Sequence, residues 1–299
     1  MIVIIGSVNM DLVLRVPRMP LPGETLAGDK FMTIPGGKGA NQAVACARLS
    51  APGTAVAMVA CVGEDAFGQQ MRQSITVCGI DDRYIDEVAG EATGIASIMV
   101  DANAQNSIVI AAGANGRLDV ERIERARPLI EQASIVLLQL EVPMATVVHS
   151  IELAHALGKI VVLNPAPAQS LPRELLQKID YLILNEIEAA MLAEEQSDDI
   201  ALLAHKLHDL GARNVVVTLG EKGVYGSFAD GRQRHLPARK VQAVDTTAAG
   251  DTFIGGFIGA IAQGRDQFDA IAYAQAAAAL SVTRVGAQTS IPLRDEVVL

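Results

Sequence analysis

The sequence predicts an α/β fold, a Rossmann-like and mostly parallel sheet sandwiched between helices, with a small β-sheet lid set apart from it. Apolar, β-branched runs of strand length recur along the chain, and stretches of helical periodicity separate them. Two segments rich in turn residues interrupt that alternation. With 50% hydrophobic residues among 299, the chain can bury a sizeable core, and it is read as one α/β domain over residues 1–299.

The first run, Ile2 to Ile5, lacks a basic leading segment and meets Gly6 and Ser7 at once, so it reads as a buried strand and not as a signal peptide. Ala55 to Cys61, Ile135 to Leu140, Ile160 to Leu163, Tyr181 to Leu184 and Val215 to Leu219 follow as strands buried on both faces. Helices are expected at Ala40 to Leu49, Phe67 to Val77, Ala145 to Leu157, Asp199 to Leu210 and Asp251 to Gln263. The lid is assigned to segments at about 12–34, rich in Pro and Gly, and 94–110, where Ile95 to Val100 and Ser107 to Ile110 flank a turn at Asp101 to Gln105. Its expected place is beside the carboxyl edge of the sheet, where open α/β folds bind ligands.

Composition excludes several classes. The 24 Lys and Arg against 34 Asp and Glu give a net charge of -10, which repels nucleic acid at long range. A phosphate ester would therefore need backbone amides, a helix N-terminus or a metal. Cys46, Cys61 and Cys78 form neither a disulfide framework nor a Cys-x-x-Cys zinc site. No apolar stretch is long enough for a membrane span, and a cytoplasmic location is expected.

The most informative segment is Asp245-Thr246-Thr247-Ala248-Ala249-Gly250-Asp251-Thr252-Phe253, followed by a helix of small residues. Small side chains let a backbone turn approach a ligand, and the helix that starts there presents free N–H groups as an anion hole. An isolated Asp in a first helical turn usually just complements the dipole. Here the carboxylate sits beside a nest of amides, and phosphoryl transfer needs donors for the γ-phosphate and a proton acceptor for the attacking hydroxyl at one spot.

Gly36-Gly37-Lys38-Gly39-Ala40-Asn41 precedes a helix but fits neither the P-loop nor the dinucleotide template. It is either a structural turn with a solvated lysine or a surface for a hydroxyl-rich ligand, with Lys38 and Asn41 as polar groups. Asn9 and Asp11 after the first strand, and Glu141 after the third, would project from the carboxyl edge, unless they only form turns. Asn185-Glu186-Ile187-Glu188 either stabilises a helix start or reaches a magnesium complex through water. Thr218 to Gly223, with Gly220 and Gly223, is a hairpin turn or a phosphate cradle. His205 and His208 share a helical face and are expected to be solvated.

Gly-Gly-Lys-Gly-Ala-Asn-Gln at Gly36 to Gln42 and Asp-Thr-Thr-Ala-Ala-Gly-Asp-Thr-Phe at Asp245 to Phe253, in register with the expected strands, resemble the signatures of the ribokinase, or PfkB, family of carbohydrate kinases. The resemblance covers nearly the whole chain. It implies a ribokinase-like catalytic domain in which Asn9, Asp11, Gly37, Lys38, Asn41 and Glu141 hold a sugar, ribose being the expected one, and Asp251 takes the proton from its 5-hydroxyl. Asn185, Thr218, Gly220, Gly223 and Gln275 would line the ATP site, Gln275 standing where histidine is often found, and Ala248, Ala249, Gly250 and Asp251 would form the anion hole. Glu188 would act on magnesium (Mg2+) indirectly, and Asp245, Thr247, Ser281, Arg284, Gly286 and Ser290 would surround potassium (K+). The resemblance also implies a homodimer packed through the lid. Kinases of 2-deoxyribose, another small sugar or a nucleoside, and a sugar sensor without catalysis, are the competing functions; 3% aromatic residues weigh against stacking a nucleoside base.

Overall fold

The computed structural model describes residues 1–103 and 105–298. Ala104, inside the expected turn Asp101 to Gln105, and Leu299, at the end of the expected domain, lie outside the described residues. The strands are β1 (Ile2–Ile5), β2 (Asn9–Arg15), β3 (Lys30–Gly36), β4 (Val56–Gly63), β5 (Asp81–Val88), β6 (Gly94–Val100), β7 (Asn106–Ala111), β8 (Ile135–Leu138), β9 (Ile160–Leu163), β10 (Tyr181–Asn185), β11 (Val215–Thr218), β12 (Val224–Ser227) and β13 (Gln233–Leu236). The helices are α1 (Lys38–Leu49), α2 (Ala66–Val77), α3 (Val120–Arg125), α4 (Arg127–Gln132), α5 (Met144–Ala156), α6 (Arg173–Leu176), α7 (Glu186–Leu192), α8 (Ile200–Asp209), α9 (Ala249–Ile261) and α10 (Gln267–Ser281). No helix among the described residues is long and apolar enough to cross a membrane.

A nine-stranded sheet runs in the order β13-β12-β11-β10-β9-β8-β1-β4-β5. It is parallel from β11 to β5, and only the edge pairs β11 with β12 and β12 with β13 are antiparallel. Alternation along each strand feeds two cores. Val3, Ile5, Val136 and Leu138 pack with α3, α4, α5 and α8 on one face, while Ile2, Ile4, Ile135 and Leu137 pack with α1, α2, α9 and α10 on the other. Each such buried aliphatic side chain contributes roughly 1.5–3 kcal/mol.

Side-chain caps fix several helix starts: Asp65 for α2, Asp199 for α8, Asp266 for α10, and a capping box of Asn185 and Glu188 for α7. The small residues of α9 serve packing first. A methyl group at Gly255 would lie 2.3 Å from the Ala45 Cβ, so α9 sits against α1 with no room for a side chain there.

The second sheet has the order β3-β2-β6-β7. Strand β2 pairs antiparallel with β3 and parallel with β6, so the lid is a mixed sheet built from the two segments expected, extended to Asn9, Gly36 and Ala111. Three local expectations are corrected. Asn9 and Asp11 lie on lid strand β2 and not on the end of β1, because the chain leaves the main sheet at Gly6 and pairs Asn9 with Gly36 and Gly94. Strand β8 ends at Leu138, since the Leu140 amide turns to the Ala166 carbonyl, so Glu141 stands beyond the strand. His208 is not solvated: its ring bridges the Ala212 carbonyl and Ser227 Oγ, both at 2.8 Å, and pins α8 to β12.

Candidate active site

Helix α1 begins where the lid meets the main sheet. Gly37 adopts φ of 87°, and a Cβ there would lie 2.7 Å from the Asn9 amide, so only glycine lets α1 start this close to β2. Glu141 Oε2 accepts from Ser7 Oγ at 2.5 Å and from the Lys38 amide at 3.1 Å. Asn115 Nδ2 donates to Asn9 Oδ1 at 2.7 Å, while its own amide is held by both backbone groups of Val8. The Asn9 Nδ2 is thereby left as the group free to donate.

Asp251 lies in the first turn of α9, only 8% exposed. Its Oδ2 accepts from Asn41 Nδ2 at 3.1 Å and its Oδ1 from Gln42 Nε2 at 2.9 Å, joining the two motifs over more than 200 residues of sequence. Asn41 Oδ1 is buried without a partner among the described residues, an acceptor suited to a hydroxyl. Burial raises the Asp251 carboxyl above the ordinary aspartate range, against the pull of Lys38 and of the Gln42 and Asn41 amides. Burial likewise lifts Asp11 to about 7, with Glu141 and Asp251 adding repulsion. Burial raises Glu188 too, and it prevails over the Asn185 amide and Lys38. For Lys38, burial disfavours the charge, yet Asp251, Glu141 and Glu188 together hold its ammonium above the usual lysine value. One cation thus faces several carboxyls with little water, an arrangement that favours a bound donor or proton.

A cleft of about 630 Å³ opens on the other side of this cluster, a volume ordinary for a small-molecule site. Its lining includes Asn185, Glu188, Thr218, Gly220, Ala248, Ala249 and Gly250, and Lys38 and Asp251 belong to both the cleft and the polar cluster. Parallel pairing of β10 and β11 sets Asn185 beside Thr218 at the carboxyl edge. Ala248 is left-handed at φ of 57°, an uncommon state for a residue with a Cβ. It turns the chain into α9, and the Ala249 amide donates to the Thr246 carbonyl at 3.2 Å. The Ala248, Gly250 and Asp251 amides have no acceptor among the described residues, whereas the Ala249 amide, expected to join them in an anion hole, is taken.

Two expected nucleotide contacts fall outside this lining. Gly223, at φ of 109°, closes the turn between β11 and β12, and a Cβ there would strike the Leu236 carbonyl. Gln275, on α10, donates through Nε2 to the carbonyls of Leu236 and Pro237 at 3.2 and 3.4 Å.

Asp245 holds two of the residues expected around potassium. Its Oδ1 accepts from the Thr247 amide and hydroxyl at 2.9 and 2.6 Å, and its Oδ2 accepts from the Gly286 amide at 2.8 Å. Burial raises this carboxyl, but the bonds from Thr247 and Gly286 outweigh it and leave it below the ordinary value. Ser281 and Ser290 hydroxyls donate to the Ala278 and Ala287 carbonyls, and the Arg284 guanidinium pairs with Glu296 at 2.7 Å, so these residues have only oxygens of the backbone or hydroxyl to offer. An all-oxygen donor set of this kind fits a hard cation.

Sequence reasoning passed over Gln42 as a partner of Asp251, together with Asn164, Gln139 and Asn115. Each is a buried amide. Buried polar residues in strands and helices are a signal, but nothing in one sequence tells which of them meet.

A family model for the pfkB family carbohydrate kinases matches residues 1–294. The chain is 46% identical over 298 residues to the ribokinase of Haemophilus influenzae, covering 98% of this chain and 95% of that one. It is 41% identical over 295 residues to the deoxyribokinase of Salmonella typhi, covering 97% and 95%. The solved structure of Arabidopsis thaliana ribokinase with ribose and ATP superposes with a TM-score of 0.90 at 33% identity, covering 99% of this chain and 96% of that one. With two glycine-bearing motifs meeting at a buried carboxylate, and the match running through nearly every element, this chain belongs to the pfkB family of carbohydrate kinases.

Proposed function

We propose that the chain transfers the γ-phosphate of ATP to the 5-hydroxyl of D-ribose, giving ribose 5-phosphate and ADP, with the whole chain acting as one catalytic domain. The observation that carries this reading is the position of Asp251, which faces the cleft of Asn185, Thr218 and Gly250 while bonded to Asn41 of the polar cluster. In this reading Asn9, Asp11, Lys38, Asn41 and Glu141 take the sugar hydroxyls, with Gly37 allowing the approach. Asp251 accepts the proton of the attacking hydroxyl, and the Ala248, Gly250 and Asp251 amides receive charge developing on the phosphate oxygens. Positioning supplies most of the acceleration, because the transition state is loose.

Glu188 and Asn185 are oxygen-bearing residues of the cleft that suit a hydrated magnesium ion. Bound with the nucleotide, magnesium would neutralise phosphate charge. Asp245, Thr247, Ser281, Arg284, Gly286 and Ser290 would hold potassium next to the turn that forms the anion hole, several of them through carbonyls. A homodimer through the lid accords with apolar residues on its surface: Phe31 is 60% exposed and Val109 65%. A cytoplasmic setting, without nucleic acid or membrane partners, accords with the net charge of -10.

The 41% identity to a deoxyribokinase favours a second reading, 2-deoxyribose as acceptor. ADP release over a panel of pentoses, hexoses and nucleosides, with magnesium and with or without potassium, separates these. A ribose to deoxyribose ratio of kcat/KM well above one supports ribose, the inverse ratio supports deoxyribose, and no ADP with any acceptor sinks both.

A further inference from the structure

The Asp251 carboxylate is held by a chain of amides that starts on a backbone carbonyl. Asn164, just past β9, donates through Nδ2 to the Ile183 carbonyl on β10 at 3.0 Å. A carbonyl only accepts, so this bond sets which way the Asn164 amide faces and turns its Oδ1 toward Gln42. Gln42 Nε2 donates to that oxygen at 3.1 Å and to Asp251 Oδ1 at 2.9 Å. Gln42 Oε1 accepts from Gln139 Nε2 at 2.6 Å. Gln42 is 0% exposed, so no water offers its amide another arrangement. Reversing it would set Oε1 against Asn164 Oδ1 and an ionised Asp251 Oδ1, three acceptors with no hydrogen between them.

We propose that Gln42 is a positioning residue for phosphoryl transfer: oriented by Asn164 and Gln139, it keeps the Asp251 carboxylate ionised and fixed in rotation, ready to accept the proton of the sugar hydroxyl. This rests on the reading of Asp251 as base and deepens it. The groups around Asp251 make such help necessary. Lys38 of α1 favours the ionised form, while Glu141 beyond β8, Asp11 of β2 and Glu188 of α7 oppose it, as does burial. The Gln42 and Asn41 amides are the neutral donors that act with Lys38.

The test is the pH profile of kcat at saturating ATP and ribose for Gln42→Met, a side chain of similar length without hydrogen bonds, with Asp251→Asn in parallel. The expected result is a kcat about tenfold or more lower near pH 7, with the acidic limb moved to higher pH and ribose KM changed less than kcat. Asn164→Leu should move the limb the same way by less, and Gln139→Met least. A folded Gln42→Met with an unmoved limb overturns the proposal, whether kcat is normal or uniformly lowered. Should Gln42→Met fail to fold, the Asn164→Leu and Gln139→Met profiles decide, and unmoved limbs in both overturn it. An inactive Asp251→Asn beside that outcome leaves the kinase reading standing, whereas an active one removes the base itself.

Discussion

Asp245 and Asp251 stand on either side of the turn that starts α9, and their carboxyls are driven in opposite directions. Asp245 is half-buried, and hydrogen bonds from Thr247 and Gly286 prevail over burial, holding it below the usual range. Asp251 is buried, with two amide donors and Lys38 nearby, yet burial prevails and raises it. The same side chain is thus an anion held by its donors outside the turn and, in the proposed reaction, the proton acceptor inside it. What differs is access to water: donors outweigh the desolvation of half-buried Asp245 but only reduce its effect at buried Asp251.

The largest effect expected comes from removing the acceptor on the buried side. Asp251→Asn should lower kcat by about 10²–10⁴-fold while calorimetry still detects sugar binding, and near-normal turnover would erase the contrast between the two aspartates. Next comes the packing that buries it. Gly255→Ala drives a methyl group into Ala45, separates α9 from α1 and should cost about 1–3 kcal/mol in denaturant unfolding, with kcat reduced because Asn41 and Asp251 no longer meet. An unchanged unfolding midpoint would show that the helices can part without loss.

A third test concerns Asp11, whose carboxyl is raised from 3.8 to about 7. The folded state holds this proton more tightly than the unfolded one, so the protein should lose stability as pH rises between those values. Asp11→Asn should therefore raise Tm by about 2–4 °C or more at pH 8, change it little at pH 4, and weaken sugar binding. Equal shifts at both pH values would deny the burial argument. The smallest effect belongs to Asp245→Ala, expected to cost about 0.5–1.5 kcal/mol, to abolish potassium activation, and to leave the acidic limb of kcat in place. Since Asp245 is lowered, the stability it supplies is present above the ordinary aspartate value and lost as pH falls through the folded one.

Much of this was legible from residue pattern. Apolar runs such as Ile2–Ile5 and Val215–Thr218 mark strands because a sheet covered on both faces needs them. The lid segments stood out because Pro, Gly and alternating residues break that pattern. The antiparallel edge β12 and β13 did not stand out, since Gln233–Leu236 is exposed and polar and carries no periodic signal. At the site, Lys38, Asn41 and Asp251 come from the two motifs, while Gly223 and Gln275, expected at the nucleotide, also lie against the end of β13, a contact that no local pattern reveals.

By itself, then, the chain's order of residues determined which elements form and which chemical groups are on offer, because periodicity, turn chemistry and small residues act locally. The contacts of Gln42 with Asn164 and Asp251 span 122 and 209 residues. Only the packing of α1 against α9 and the sheet decided that those amides would meet the carboxylate, because burial and hydrogen-bond direction depend on neighbours that no local stretch of sequence contains.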